Sequence, residues 1–183
     1  MTPARQHLYL VASAAPPVLR LEEFIPHLSA DGWAVCVIAT PMAASWIDLD
    51  DLATATGCVT RVQPRPPRQK EKSLPRADAL LVAPLTFNSM NKWASGISDT
   101  FALGVLNEML GTEVPIVAAP CVKPVLRRHP AYADSVARLT KAGVTLLDPD
   151  AITTRAEDDG LATFDWSYVI SALRSAVKPD VDR

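Results

Sequence analysis

The constraint that most narrows the folding options of this chain is an alternation. Short, predominantly apolar runs without regular polar alternation, at residues 8–12, 33–39, 58–62, 79–83, 114–119 and 144–147, are separated by segments of helical periodicity. A run without polar alternation belongs to a strand covered on both faces. In the intervening segments, Val18, Leu21, Phe24, Ile25 and Leu28 sit three and four apart ahead of Asp31-Gly32. Leu103, Leu106, Met109 and Leu110 repeat the pattern before Gly111, and Val136, Leu139 and Thr140 before Gly143. Gly is a common residue just past a helix C-terminus. Strand, helix, strand in this order predicts a parallel sheet joined by right-handed crossovers. We therefore expect one α/β domain over residues 1–183: a doubly wound, Rossmann-like parallel sheet with helices on both faces. Its core spans about 8–147, with a helical extension at about 164–176.

Charge and composition exclude several functions. With a net charge of −2 and a pI near 5.9 there is no broad basic face to neutralise several phosphates, so nucleic acid is not an expected partner. No apolar run reaches the roughly 18 residues that a bilayer span needs, and the opening residues lead straight into a strand-like run. Neither export nor membrane anchoring is expected. Cys36, Cys58 and Cys121 are odd in number, far apart and not in metal-ligand spacing, which fits a reducing, cytoplasmic setting and no metal. The adjacent Asp48, Asp50 and Asp51 read as the acidic first turn of a short helix.

One stretch breaks the rhythm. Residues 63–75 carry four prolines and four basic residues in thirteen positions, which predicts an extended, positively charged loop in place of a crossover helix. It is either a solvated connection or a flap that meets an anionic substrate.

In an open parallel sheet, ligands bind beyond the carboxyl ends of the strands. Here those ends are Ser13-Ala14, Thr40-Pro41-Met42-Ala43, Pro84-Leu85-Thr86-Phe87-Asn88 and Ala119-Pro120-Cys121. They are rich in hydroxyls, small residues and prolines and lack the Gly-x-Gly-x-x-Gly of dinucleotide folds. Hydroxyls and helix N-termini can still hold a single phosphate, which suits a mononucleotide. Ser13, Thr40 and Thr86 are equally suited to be N-caps.

The most specific signal is the run Ala83-Pro-Leu-Thr-Phe-Asn-Ser-Met-Asn-Lys-Trp-Ala-Ser-Gly-Ile-Ser-Asp99. It resembles the corresponding motif of flavoproteins related to phosphopantothenoylcysteine decarboxylase and the lantibiotic peptidyl-cysteine decarboxylases. Ala83, Pro84, Leu85, Thr86, Asn88, Ser89, Lys92, Ala94, Gly96, Ile97 and Asp99 match without gaps. Thr40, Ala43, Trp46, Ala77-Asp78, Ala119-Pro120 and His129-Pro130 follow the family order. The resemblance implies a noncovalent FMN at a subunit boundary, in trimers or trimers of trimers. It places Ser13, Ala14, Thr40 and Ala43 near the phosphate or ribityl chain, with Trp46 as a stacking wall. Pro84, Leu85, Thr86, Phe87 and Asn88 would line the flavin, and Ala119, Pro120 and Cys121 would approach its ring.

The same comparison exposes two departures. The family's histidine base falls at Lys70, and no histidine occurs between His27 and His129. The family's carboxylate-holding asparagine falls at Lys123, a point charge without an amide's paired donor and acceptor. Lys123 and Cys121 are therefore the candidate catalytic residues, and Lys70 and Lys72 further candidates for substrate contact. His129, Asp99 and the Arg127-Arg128 pair read as structural. The expected activity is a flavin-dependent decarboxylation or oxidoreduction of a small or peptidyl anionic substrate. The alternatives are a noncatalytic flavin-binding or regulatory protein and, in a different class, prenyl transfer to flavin, which the glycine-poor first loop disfavours.

Overall fold

A computed structural model describes residues 6–67 and 73–177. Six parallel strands, β1 (Gln6–Ala12), β2 (Trp33–Ala39), β3 (Val59–Arg61), β4 (Ala79–Leu85), β5 (Ile116–Pro120) and β6 (Thr145–Leu146), form a sheet in the order β3-β2-β1-β4-β5-β6. The register is continuous from Gln6 opposite Trp33 to Ala12 opposite Ala39, and Leu8 to Val11 face Ala79 to Val82 on the other side of β1. The chain winds outward in both directions from β1 and β4, so the topological switch point lies between their carboxyl ends. This is the doubly wound arrangement that the apolar runs predict.

Both faces of the sheet are covered, which is why its central strands are apolar from Leu8 onward in β1 and throughout β4. Over one face lie α1 (Leu21–Ala30), preceded by a 3₁₀ turn at Pro16–Arg20, and the last helix, Trp166–Val177; Phe24, Ile25, Leu28, Val169 and Leu173 are fully buried there. Phe24 stacks on Trp166 with ring centroids 4.0 Å apart. On the other face, α2 (Pro41–Ala44) and α3 (Leu49–Thr56) having intervened in the chain, α4 (Phe87–Ala94), α5 (Phe101–Met109) and, after α6 (Pro124–Arg127), α7 (Pro130–Lys141) bury Met90, Trp93, Leu103, Leu106 and Leu139. Asp48 caps α3 by accepting from the amides of Asp50 and Asp51, each at 2.9 Å, as the acidic cluster suggested. No helix forms in the described parts of the segment between β3 and β4. Lys70 and Lys72 lie outside the described residues.

The polar stretch before the last helix holds structure that its sequence does not announce. After α8 (Pro149–Ile152), β7 (Thr153–Arg155) and β8 (Ala162–Phe164) pair antiparallel, and α9 (Trp166–Val177) then begins two residues later than an opening at Phe164 would have it. Three-residue strands with Thr153, Thr154 and Arg155 exposed carry no apolar run for a sequence reading to find. Arg20, which ion-pairs with Glu23, Asp158 and Asp159, ties the hairpin to the turn that follows β1.

Candidate functional site

At the switch point, Ser13 is buried and its hydroxyl joins the ends of β1 and β4. It accepts from the amide of Thr86 at 3.1 Å and donates to the carbonyl of Pro84 at 2.7 Å; the Ser13 amide donates to that carbonyl too. An amide only donates and a carbonyl only accepts, so the single hydroxyl proton is committed to Pro84. Ser13 thus holds the frame of the site.

Three threonines open onto one cleft of about 420 Å³ beside this clasp: Thr40, Thr86 and Thr100. Each is an N-cap. Thr40 accepts from the Ala43 amide at 3.2 Å, Thr86 from Ser89 at 3.3 Å and Thr100 from Leu103 at 3.2 Å, opening α2, α4 and α5. A cap satisfies one of the amides at a helix start and leaves others without an intrahelical carbonyl. The two longer helices, α4 and α5, therefore present unspent N–H groups and the positive ends of their dipoles to the same space. Asn88, in the first turn of α4, lines the cleft, as do Ser89 and Lys92; Lys92 is ion-paired with Asp99. Ala14, Pro41, Met42 and Leu103 supply an apolar wall. The arrangement suits a phosphate attached to an apolar body.

Of the residues picked out in sequence, Ser13, Ala14, Thr40, Thr86 and Asn88 converge on this cleft. Ala43, Pro84, Leu85, Ala119 and Pro120 are buried and do not line it. Phe87 packs edge-on against His129, ring centroids 5.6 Å apart, and His129 caps α7 through its Nδ1, which accepts from the Ala131 amide. Trp46, half exposed, lines a different groove with Leu19, Glu22 and Asp51. Cys121 donates its amide to Leu85 at 2.9 Å just past β5, and Lys123 is exposed at the start of α6. Neither lines the cleft. Arg127 pairs with Asp150. Pro41 and Met42 fall within a strand end that the sequence reading named, whereas Thr100 and Leu103 are cleft residues that it did not select for the site. Thr100 had a signal, a hydroxyl three residues before the first apolar residue of a periodic run.

Burial raises the thiols of Cys121 and Cys36, the latter to about 11. A raised thiol stays protonated at neutral pH and is a weak nucleophile. We expect iodoacetamide at pH 7.5 to alkylate native Cys121 at least about tenfold more slowly than the same residue in the urea-unfolded chain, with the rate rising toward alkaline pH. Equal rates in the two states would mean that the fold does not suppress the Cys121 thiol, and a faster native rate would make it an activated one.

Comparison with known proteins places this geometry in context. A family model described as Flavoprotein matches residues 2–178. Among curated proteins, a segment of 74 residues, 40% of this chain, is 34% identical to the coenzyme A biosynthesis bifunctional protein CoaBC of Thermococcus kodakarensis and covers 18% of that protein. The chain thus spans about a fifth of the length of this relative. Among solved structures, the FMN-dependent cysteine decarboxylase TvaF from thioviridamide biosynthesis superposes with a TM-score of 0.73 at 18% identity, over 95% of this chain and 99% of that one. A PPC decarboxylase variant complexed with pantothenoylaminoethenethiol gives 0.72 at 18% identity, over 93% and 97%. At such identity the shared property is the fold. Among the described residues no helix is long and apolar enough to cross a membrane.

Proposed function

Since the chain belongs to the flavoprotein family, we propose that it binds FMN in the cleft at the switch point and acts as a flavin-dependent decarboxylase or oxidoreductase on an anionic substrate. The observation that carries this reading is the convergence of three threonine-capped helix starts on one cleft next to the Ser13 clasp. Its volume lies in the range of small-ligand sites. The phosphate would meet the first amides of α4 and α5 and the Asn88 side chain, while Ala14, Met42 and Leu103 would exclude water along the flavin's flank. Bound there, FMN would supply a two-electron acceptor that no side chain of this chain offers.

Lys123 is the residue we assign to the substrate. It projects from the carboxyl end of β5 where the resemblance puts the substrate carboxylate, and its ammonium would hold that carboxylate as a point charge. A small or peptidyl acid fits this role. We also propose that the chain self-associates into trimers, or trimers of trimers. Met42 at the cleft is 62% exposed and Ile97 near it is 44% exposed, apolar surface that a second copy would cover.

The absence of a histidine at Lys70, and of an asparagine at Lys123, supports a second reading, a flavin-binding regulatory protein without turnover. A panel of cysteine-ended peptides and small thiol acids separates the two: bleaching of the flavin or release of CO₂ supports catalysis, and neither supports regulation.

Asn88→Asp tests the anion slot. A carboxylate in the first turn of α4 complements the helix dipole, so stability should hold or rise by about 0.3–1 kcal/mol. The same charge faces the phosphate, so FMN affinity should fall at least about tenfold. Stability and affinity moving in opposite directions, by thermal unfolding and flavin fluorescence titration, is the expected pattern. Undiminished FMN affinity would remove the phosphate from this cleft.

A further inference from the structure

The run from Ala83 to Asp99 carries two charged residues, Lys92 and Asp99, to which the flavin reading gives no task. Lys92 follows Asn88 by four residues on α4, a spacing that brings two side chains to one face of a helix, and both line the cleft. The other described residues around the cleft carry hydroxyls, an amide or apolar groups. Lys92 is thus the one charged side chain among the described residues that line it.

Its ammonium is held by Asp99, which is exposed and does not line the cleft. Asp99 immediately precedes Thr100, the cap of α5, so the ion pair sets the ammonium carried by α4 beside the start of α5. An ammonium has three donors, and its bond to Asp99 leaves others for an anion in the cleft. The charges of such an anion do not balance without it. A phosphate monoester carries about −1.5 to −2 at neutral pH, and each helix start offers the equivalent of about +0.5. The starts of α4 and α5 leave a deficit that one ammonium fills. A neutral ligand in the same place would leave the ammonium nothing but Asp99.

Given the flavin reading of the cleft, on which this step rests, we propose that Lys92 is its specificity-determining residue, selecting the phosphorylated flavin over riboflavin by donating to the phosphate. Asp99 is the counterion of the empty cleft and does not hold the ligand. A purely structural lysine would behave differently. In the last turn of α4 it would complement the helix dipole and tie α4 to the start of α5, acting through Asp99. Removing either partner would then loosen FMN and riboflavin alike.

The test is fluorescence titration of the full chain with FMN and with riboflavin, alongside thermal unfolding with and without inorganic phosphate. Wild type should bind FMN at least about tenfold more tightly than riboflavin. Lys92→Met, whose unbranched apolar side chain replaces the packing of the lysine stem, should lose at least about tenfold in FMN affinity. Its riboflavin affinity should change by less than about threefold. Asp99→Asn should keep or gain FMN affinity, because a like charge beside the phosphate is removed. Inorganic phosphate should raise the unfolding temperature of wild type and of Asp99→Asn, and that of Lys92→Met by less. Circular dichroism checks that both variants are folded. Equal losses for the two flavins in Lys92→Met, or a loss of FMN affinity in Asp99→Asn matching that in Lys92→Met, would overturn the assignment and leave the flavin reading standing. Wild type that binds neither flavin would overturn the flavin reading. Phosphate protection that is diminished in Lys92→Met would then still support the lysine as the anion contact, and absence of protection in wild type would overturn that as well.

Discussion

Trp93→Ala is expected to lower the free energy of unfolding by about 3–5 kcal/mol, a large part of the about 5–15 kcal/mol that a domain of this kind commands. Trp93 is 1% exposed and lies in the cluster that includes Leu103 and Leu106. Its indole N–H donates to the carbonyl of Leu106 at 3.1 Å, which fastens α4 to α5. These are the two helices whose first turns face the cleft, so the cavity left behind would also loosen the geometry of the anion slot. Urea unfolding should show the stability loss, and flavin titration under native conditions should show weakened binding in whatever fraction remains folded. Trp93→Phe is the control. It keeps most of the ring volume, and the Leu106 carbonyl still accepts from the Leu110 amide at 3.3 Å, so its cost should stay near about 1–2 kcal/mol. A loss below about 1 kcal/mol in the alanine variant would mean that the α4–α5 contact does not organise the site.

Lys123→Ala should have the opposite profile. The side chain is exposed and its backbone carbonyl, which accepts from the Leu126 and Arg127 amides, is unaffected by truncation, so stability should change by less than about 0.5 kcal/mol. Flavin should remain bound because Lys123 does not line the cleft. If the ammonium holds the substrate's carboxylate, kcat/KM should fall about 100-fold, the size of effect expected when one partner of a charged contact desolvated on binding is removed. Lys123→Arg should recover part of it, since charge is kept and only the geometry changes. Kinetics unchanged in the alanine variant would free Lys123 of any substrate role.

The parts of this molecule that could be read in advance are those where one physical requirement acts on consecutive residues. Burial on both faces makes β2, β4 and β5, and β1 from Leu8 onward, apolar throughout. The acidic start of α3 was legible because capping needs a side-chain acceptor at one position relative to the first amides. The threonines were legible too, but only as alternatives: a hydroxyl at a strand end serves a ligand or a cap, and composition does not separate them. The structure shows that Thr40, Thr86 and Thr100 do both, acting as caps and lining the cleft. Ser13 differs because its partners, Pro84 and Thr86, are more than seventy residues away in sequence. No local pattern encodes such a contact. The hairpin of β7 and β8 escaped notice for another reason, as its strands are short, exposed and held by Arg20 from a distant turn.

The most direct test of the flavin assignment is the visible absorption spectrum of the full chain after incubation with FMN and removal of unbound ligand by gel filtration. A retained flavin band in stoichiometric amount, released as FMN on denaturation, is the result this account predicts. Colourless protein that takes up no FMN under those conditions would contradict it.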